Sequence, residues 1–204
     1  MVKIGLGAAI VVLLTTSACS SGSPDSPAAT PAASTQTYLV TDCGSPGEPV
    51  SADSASGASI TSDVSVLDDD VPVVYVAEGA APVRELITAE LRGGSGDVAA
   101  LDDLITVEYC GVGLSTGALF DASWARGTPA TFPLSQGQLI QGWVDGIPGM
   151  QVGERRVLLI PSDLAYGDSP PPGIEPGETL LFVVELLGVG AEYPTTRPFV
   201  ERTT

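Results

Sequence analysis

The sequence predicts an α+β fold, an antiparallel sheet covering a single helix, and three observations carry the prediction. Five runs with period-two alternation lie between residues 84 and 189, separated by Gly or Pro signals. Only one stretch carries a helical stripe with terminators behind it, and no internal repeat is present. Strands in succession around a lone helix favour segregated layers over an alternating parallel sheet.

The strands begin with "RELITAEL" (84–91) and "LITVEYCGVG" (104–113). In the second, alternation places Ile105, Val107 and Tyr109 on one face and Thr106, Glu108 and Cys110 on the other. "ATFPL" (130–134) is the third strand. The helix starts near Ser135 or Gln138 with Leu139, Ile140 and Trp143 as its stripe, and Gly146 to Pro148 terminate it. "ERRVLLI" (154–160) and "ETLLFVVELLGV" (178–189) complete the set, with Leu180, Phe182 and Val184 facing away from Leu181, Val183 and Glu185.

Upstream of the strands the chain reads as an export signal and a linker. Residues 1–18 have a basic start at Lys3, an apolar run from Ile4 to Leu14 and small residues behind it. That run is well short of the ~20 residues that span a bilayer. "TSAC" resembles a bacterial lipobox, which makes Cys19 the expected lipid anchor on the outer face of the cell membrane; plain cleavage after Ala18 and secretion is the alternative. Residues 19–70 are rich in Ser, Ala, Pro, Thr, Gly and Asp and predict a mobile tether. Within it "TYLVTDCGSPGEPV" carries an apolar patch that can dock on the folded domain. Asp68 to Asp70 read as a solvated boundary rather than a metal site. The folded domain is expected over 71–190 and a C-terminal tail over 191–204. In an exported chain Cys43 and Cys110 either pair or remain two thiols, since spacing alone gives no distance.

Composition excludes several functions. Eight basic residues against a net charge of −17 cannot form a phosphate-binding track, so no nucleic-acid partner is expected. Histidine is absent, which removes imidazole as general base, triad member and metal ligand. "GVGLSTG" (111–117) is a turn rather than a dinucleotide loop, and "PPPG" (170–173) a stiff surface loop. No Ser or Cys has a base to activate it, and no metal or cofactor is expected. What remains is a concentration of apolar rings and aliphatics beside a few polar groups: Tyr109, Phe120, Asp121, Phe132, Leu139, Ile140, Trp143, Tyr166, Ile174 and Phe182. Each alone reads as core.

As a set they fall in "LFDAS", "LIQGW", "GMQVGERR", "LAYGD", "PPGI" and "LLFVVELL", in an order and at a spacing that resemble the FKBP-type peptidyl-prolyl isomerases along residues 107–189. The leading strands from Val71 to Leu104 resemble that family less distinctively. The resemblance implies a five- or six-stranded antiparallel sheet wrapped around one short helix, with an aromatic pocket between them for proline. It implies Trp143 as the pocket floor, and Tyr109, Phe132, Leu139, Ile140 and Phe182 as its walls. Ile174 would close the rim, and Phe120, Asp121 and the Tyr166 hydroxyl would be the catalytic groups. The expected partners are proline-containing client polypeptides and macrolide ligands, bound by a monomer. A tethered proline-peptide binding or holdase module with little turnover is the alternative. Three departures are expected at the rim: Ala130 in place of an aromatic, Pro171 in place of a histidine, and Glu175 in place of an apolar residue. They bear on substrate preference and macrolide affinity more than on the reaction.

Overall fold

The computed structural model describes residues 36–190, so the expected signal segment, Cys19 and the 191–204 tail lie outside the described residues. Eleven strands and two short helices are present among them. A six-stranded antiparallel sheet is built from β6 (Ile87–Arg92), β7 (Leu104–Gly113), β8 (Leu119–Ala122), β9 (Ala130–Pro133), β10 (Arg155–Ile160) and β11 (Leu180–Val189). Its order is β6-β10-β11-β7-β8, and β9 pairs with the first half of β7 while β8 pairs with the second. All five runs with period-two alternation become strands.

Alternation sets the two faces as the sequence predicts. Ile105, Val107, Tyr109, Leu180, Phe182 and Val184 are buried in one core, where they meet Trp143 and Ile147. Cys110, Val157, Leu159, Leu181 and Val183 are buried in a second core on the opposite face.

The helix on the first face, α2, covers only Gln141–Gly146, later and shorter than the stripe suggests. Ile140 has extended backbone, at φ −61° and ψ 148°, so the residues before it form a loop. The helix lies against the sheet on two glycines one turn apart. A Cβ at Gly142 would sit 2.3 Å from Ile160 Cγ2, and one at Gly146 2.8 Å from Leu158 Cδ2. Two glycines lower intrinsic helicity, so packing rather than propensity holds this element.

The second face departs from the sequence reading. The tether expected over 19–70 does not extend through its last part. There β1 (Tyr38–Asp42), β2 (Val50–Ala52), β3 (Ala58–Ser59) and β4 (Val64–Leu67) join β5 (Val73–Ala77) in a five-stranded antiparallel sheet ordered β2-β1-β5-β4-β3. β5, expected as a leading strand of the main sheet, belongs to this second sheet instead. Val64, Val66, Val74 and Val76 are buried against Val112, Val157, Leu159, Leu181 and Val183. The cause lies in the six-stranded sheet, whose outer face is apolar and must be covered, whereas an antiparallel sheet with a wet face shows polar alternation. A fully buried valine contributes about 1.5 kcal/mol or more, so four outweigh the polar composition around them.

Cys43, beyond the end of β1, forms a disulfide with Cys110 of β7, with Cα atoms 5.6 Å apart across 67 residues of chain. A loop of that length corresponds to about 4 kcal/mol of stabilisation in the chain-entropy account. The Asp68 to Asp70 turn is exposed, as a solvated boundary is, and it is also an anchor: Asp68 pairs with Arg155 at 2.5 Å, and the Asp69 carbonyl accepts from the same guanidinium at 2.5 Å. Among the described residues no cluster of His, Cys, Asp and Glu has the form of a metal site, and no helix is long and apolar enough to cross a membrane.

Candidate functional site

Four strands and the helix bring aromatic rings together at one place. Trp143 is 4% exposed on α2, and three rings stand edge-on around its indole. Tyr109 from β7 lies at a centroid distance of 5.4 Å, Phe132 from β9 at 5.8 Å and Phe182 from β11 at 5.3 Å, all near perpendicular. Phe120 from β8 meets Phe182 at 5.5 Å. Edge-to-face geometry is the favourable one for aromatic quadrupoles, and the rings fix each other's orientation. Gly111 makes the cluster possible, because a Cβ there would lie 2.5 Å from Phe120 Cζ and 2.8 Å from Phe182 Cε1.

Above these rings opens a cavity of about 670 Å³. All ten sequence-predicted pocket residues line it: Tyr109, Phe120, Asp121, Phe132, Leu139, Ile140, Trp143, Tyr166, Ile174 and Phe182. The loop before α2 also brings in Gln138, and the segment after β10 brings in Ala165 and Pro172, none of which the sequence reading assigned to the pocket. Of the three departures only Pro171 lines the cavity. Ala130 packs against the core beneath it, and Glu175 belongs to a separate recess of about 200 Å³ beside Ala80 and Leu114. Ala130 shares the face of β9 with Phe132, which lines the cavity, so its small side chain rather than its direction keeps it out of the lining.

One polar group of the wall is tightly held. The Tyr109 hydroxyl donates to Asp121 Oδ2 at 2.5 Å, and Arg126 donates both to Asp121 Oδ1 and, at 2.9 Å, to the Tyr109 oxygen. The Arg126 guanidinium also lies over the Tyr109 ring, 5.4 Å from its centroid. Sequence reading missed Arg126, whose signal was its place five residues after Asp121 across a short turn. Burial, then the Asp121 carboxylate that accepts its proton, pushes the Tyr109 hydroxyl up to about 12, with Arg126 opposing. It is therefore a neutral donor at ordinary pH. The Tyr166 hydroxyl is raised as well, by burial first and the Asp121 charge second, although the residue stands 39% exposed at the mouth.

The cavity thus offers an apolar, largely desolvated floor, one compensated carboxylate and two phenols. No Ser, Thr, Cys or Lys lines it, so covalent attack by those groups has no agent here. It suits a compact apolar ring flanked by carbonyl groups.

Comparison with known proteins bears on this geometry. Residues 96–187 match the family model of FKBP-type peptidyl-prolyl cis-trans isomerase, a span that holds the whole cavity and omits the second sheet. An FK506-binding protein of Streptomyces anulatus is 50% identical over 113 residues, covering 54% of this chain and 91% of that one. The peptidyl-prolyl cis-trans isomerase FPR2 of Saccharomyces cerevisiae is 49% identical over 88 residues, 43% of this chain and 65% of its own length. The crystal structure of FkpA from Escherichia coli aligns with a TM-score of 0.48 at 39% identity, over 52% of this chain and 48% of that one.

Proposed function

Because the chain belongs to the FKBP-type peptidyl-prolyl cis-trans isomerase family and is an enzyme of that class, we propose that the aromatic cavity receives the proline of an exported polypeptide and speeds rotation about the preceding imide bond. The observation that carries this reading is the single cavity shared by Trp143, Tyr109, Phe132, Phe182, Asp121 and Tyr166. The proline ring lies on the Trp143 indole between Phe132 and Phe182. Phe120 and Ile174 flank the bond, and the Tyr166 hydroxyl donates to a carbonyl of the bound chain.

The imide is planar by resonance, with a barrier of ~18–20 kcal/mol. Its uncatalysed exchange takes tens to hundreds of seconds. Rotation breaks conjugation and reduces the charge separation between carbonyl oxygen and nitrogen. An apolar, water-poor cavity therefore disfavours the planar ground state more than the twisted transition state, and that differential is catalysis. Millisecond turnover requires about a 10⁵-fold acceleration, or ~7 kcal/mol. No proton or covalent step enters, which agrees with a chain that contains no histidine. Asp121, held by Tyr109 and Arg126, presents a fixed dipole to the rotating group rather than a base.

The location rests on sequence pattern alone. Residues 1–18 direct export, and Cys19 carries the lipid that holds the protein on the outer membrane face, where its clients are secreted chains. The domain acts as a monomer, and macrolides are candidate occupants of the same cavity.

An isomerisation assay on a proline tetrapeptide tests the function, with peptide binding followed in parallel. Acceleration that is lost in Asp121→Ala supports the enzyme reading. Binding without acceleration by the wild-type chain would leave the proline-binding module in its place.

A further inference from the structure

The pocket carboxylate depends on a helix too short to hold itself. α1 (Ser123–Arg126) has four residues, no side-chain cap at its start, and Gly127 in the left-handed region at its end. Isolated helices of that length do not persist, so side-chain contacts must fix its orientation. Ser123, Trp124 and Arg126 make the contacts that orient it. Ser123, fully buried, accepts the Tyr109 N–H at 2.7 Å and donates to the buried Glu108 carboxylate. Arg126 holds Asp121 and the Tyr109 hydroxyl. Trp124 points the other way, into the core between the two sheets, where the Arg155 guanidinium stacks 5.3 Å from its ring centroid.

Arg155 is 2% exposed and is gripped from several sides. Its Nη1 donates to Asp68 and to the Asp69 carbonyl, both at 2.5 Å, and its Nη2 to Glu185 at 2.6 Å. Arg92 pairs with Glu185 at 3.2 Å on the outer side. The Asp68 turn joins β4 to β5, so the guanidinium couples the second sheet to α1. A desolvated cation is drawn to the face of an indole, and breaking a buried ion pair leaves an uncompensated charge, so this joint resists displacement.

We propose that Arg155 is a positioning residue for Asp121: gripped by the Asp68 turn of the second sheet, it fixes Trp124, and through α1 it holds Ser123 and Arg126 on Tyr109 and the pocket carboxylate. The second sheet, outside the span matched by the family model, is thereby part of the pocket's support as well as a cover for an apolar face. The inference rests on the isomerase reading for its effect on rate, though its geometry stands apart from turnover.

Two measurements test it on the full chain, with thermal melts to verify folding. The first follows Tyr109 by NMR of ¹³C-labelled tyrosine in wild type, Trp124→Leu and Asp68→Asn. Loosened α1 withdraws Arg126 from the phenol while Asp121 stays on β8, and because Arg126 holds the Tyr109 value down against burial and Asp121, the ionisation midpoint of Tyr109 is expected to move by about one pH unit further above its ordinary value. A midpoint unchanged in folded variants overturns the proposal whether or not the chain turns over peptide. Asp68→Asn and Trp124→Phe keep the test available if larger changes fail to fold. The second is a double-mutant cycle of Arg155→Met with Asp121→Asn in the isomerase assay. Arg155→Met is expected to lower kcat/KM about tenfold beside Asp121 and less than about twofold beside Asn, because coupled groups are not additive. Equal losses in both backgrounds overturn the positioning role, while absence of any wild-type rate counts against the isomerase reading alone.

Discussion

The Phe182 ring stands edge-on to the Trp143 indole at a centroid distance of 5.3 Å and an interplanar angle of 84°, joining β11 to α2 on the inner face of the sheet. One ring serves as both core and pocket wall, so its removal should register twice. Phe182→Ala is expected to cost about 3–5 kcal/mol of stability by opening a cavity in the core. Phe182→Leu should cost less, about 1–3 kcal/mol, because the aliphatic side chain keeps part of the volume but loses the edge-on contacts with Trp143 and Phe120. Both should raise KM for proline peptides, and denaturant melts beside steady-state kinetics separate the two effects.

The Tyr109 hydroxyl gives stability a pH signature. Its folded value of about 12 lies above the ordinary 10. A group raised in this way contributes stability that is fully present below pH ~10 and is lost as pH rises through ~12. Tyr109→Phe should therefore flatten the fall in unfolding free energy across that window, as measured by urea titration at each pH. Near neutrality the same change leaves Asp121 with one donor fewer, but that carboxylate is partly exposed and keeps Arg126, so the cost should be about 0.5–1.5 kcal/mol.

The Cys43–Cys110 bond ties the second sheet to the strand that carries Tyr109. Cys43→Ser with Cys110→Ser should lower stability by about 2–5 kcal/mol. The corresponding native chain should yield no thiol label at these positions until it is reduced or unfolded. Prompt labelling of both cysteines in native protein would contradict the pairing.

A chain that begins at residue 83 lacks the second sheet. It exposes Val112, Val157, Leu159, Leu181 and Val183, which are buried in the full chain. A contiguous apolar face of that kind promotes association. The expected outcome is dye binding and aggregation in light scattering, in contrast with the full chain.

Legibility in the sequence followed how strongly each residue's environment constrained it. β7 and β11 are long, and their alternation named both faces correctly because each residue is buried on one side or the other. The pocket set was legible only through motif order, since Trp143 or Phe182 taken alone cannot be told from core. The short elements β8 and α1 left no periodic signal, and with them went Arg126 and the role of Trp124. The second sheet was hidden by its composition, its core face resting on alternating valines at 64, 66, 74 and 76 amid Ser and Asp. A signal for it did exist in β11, where "LLFVVELL" is apolar on both faces, a pattern that calls for cover on each. Glu175 was misplaced at the rim because a motif gives order but not which way a side chain turns.

On the proposed mechanism this cavity lowers the barrier to imide rotation without acid–base chemistry. Exchange NMR of a proline tetrapeptide at catalytic chain concentration tests it most directly. Cis–trans exchange at the bound peptide should run about 10⁵-fold above the uncatalysed rate. That exchange should be nearly independent of pH between 5 and 9, and sharply reduced in Asp121→Ala and Phe182→Leu. Exchange no faster than in buffer, or a rate that follows the titration of a single group across that range, would contradict it.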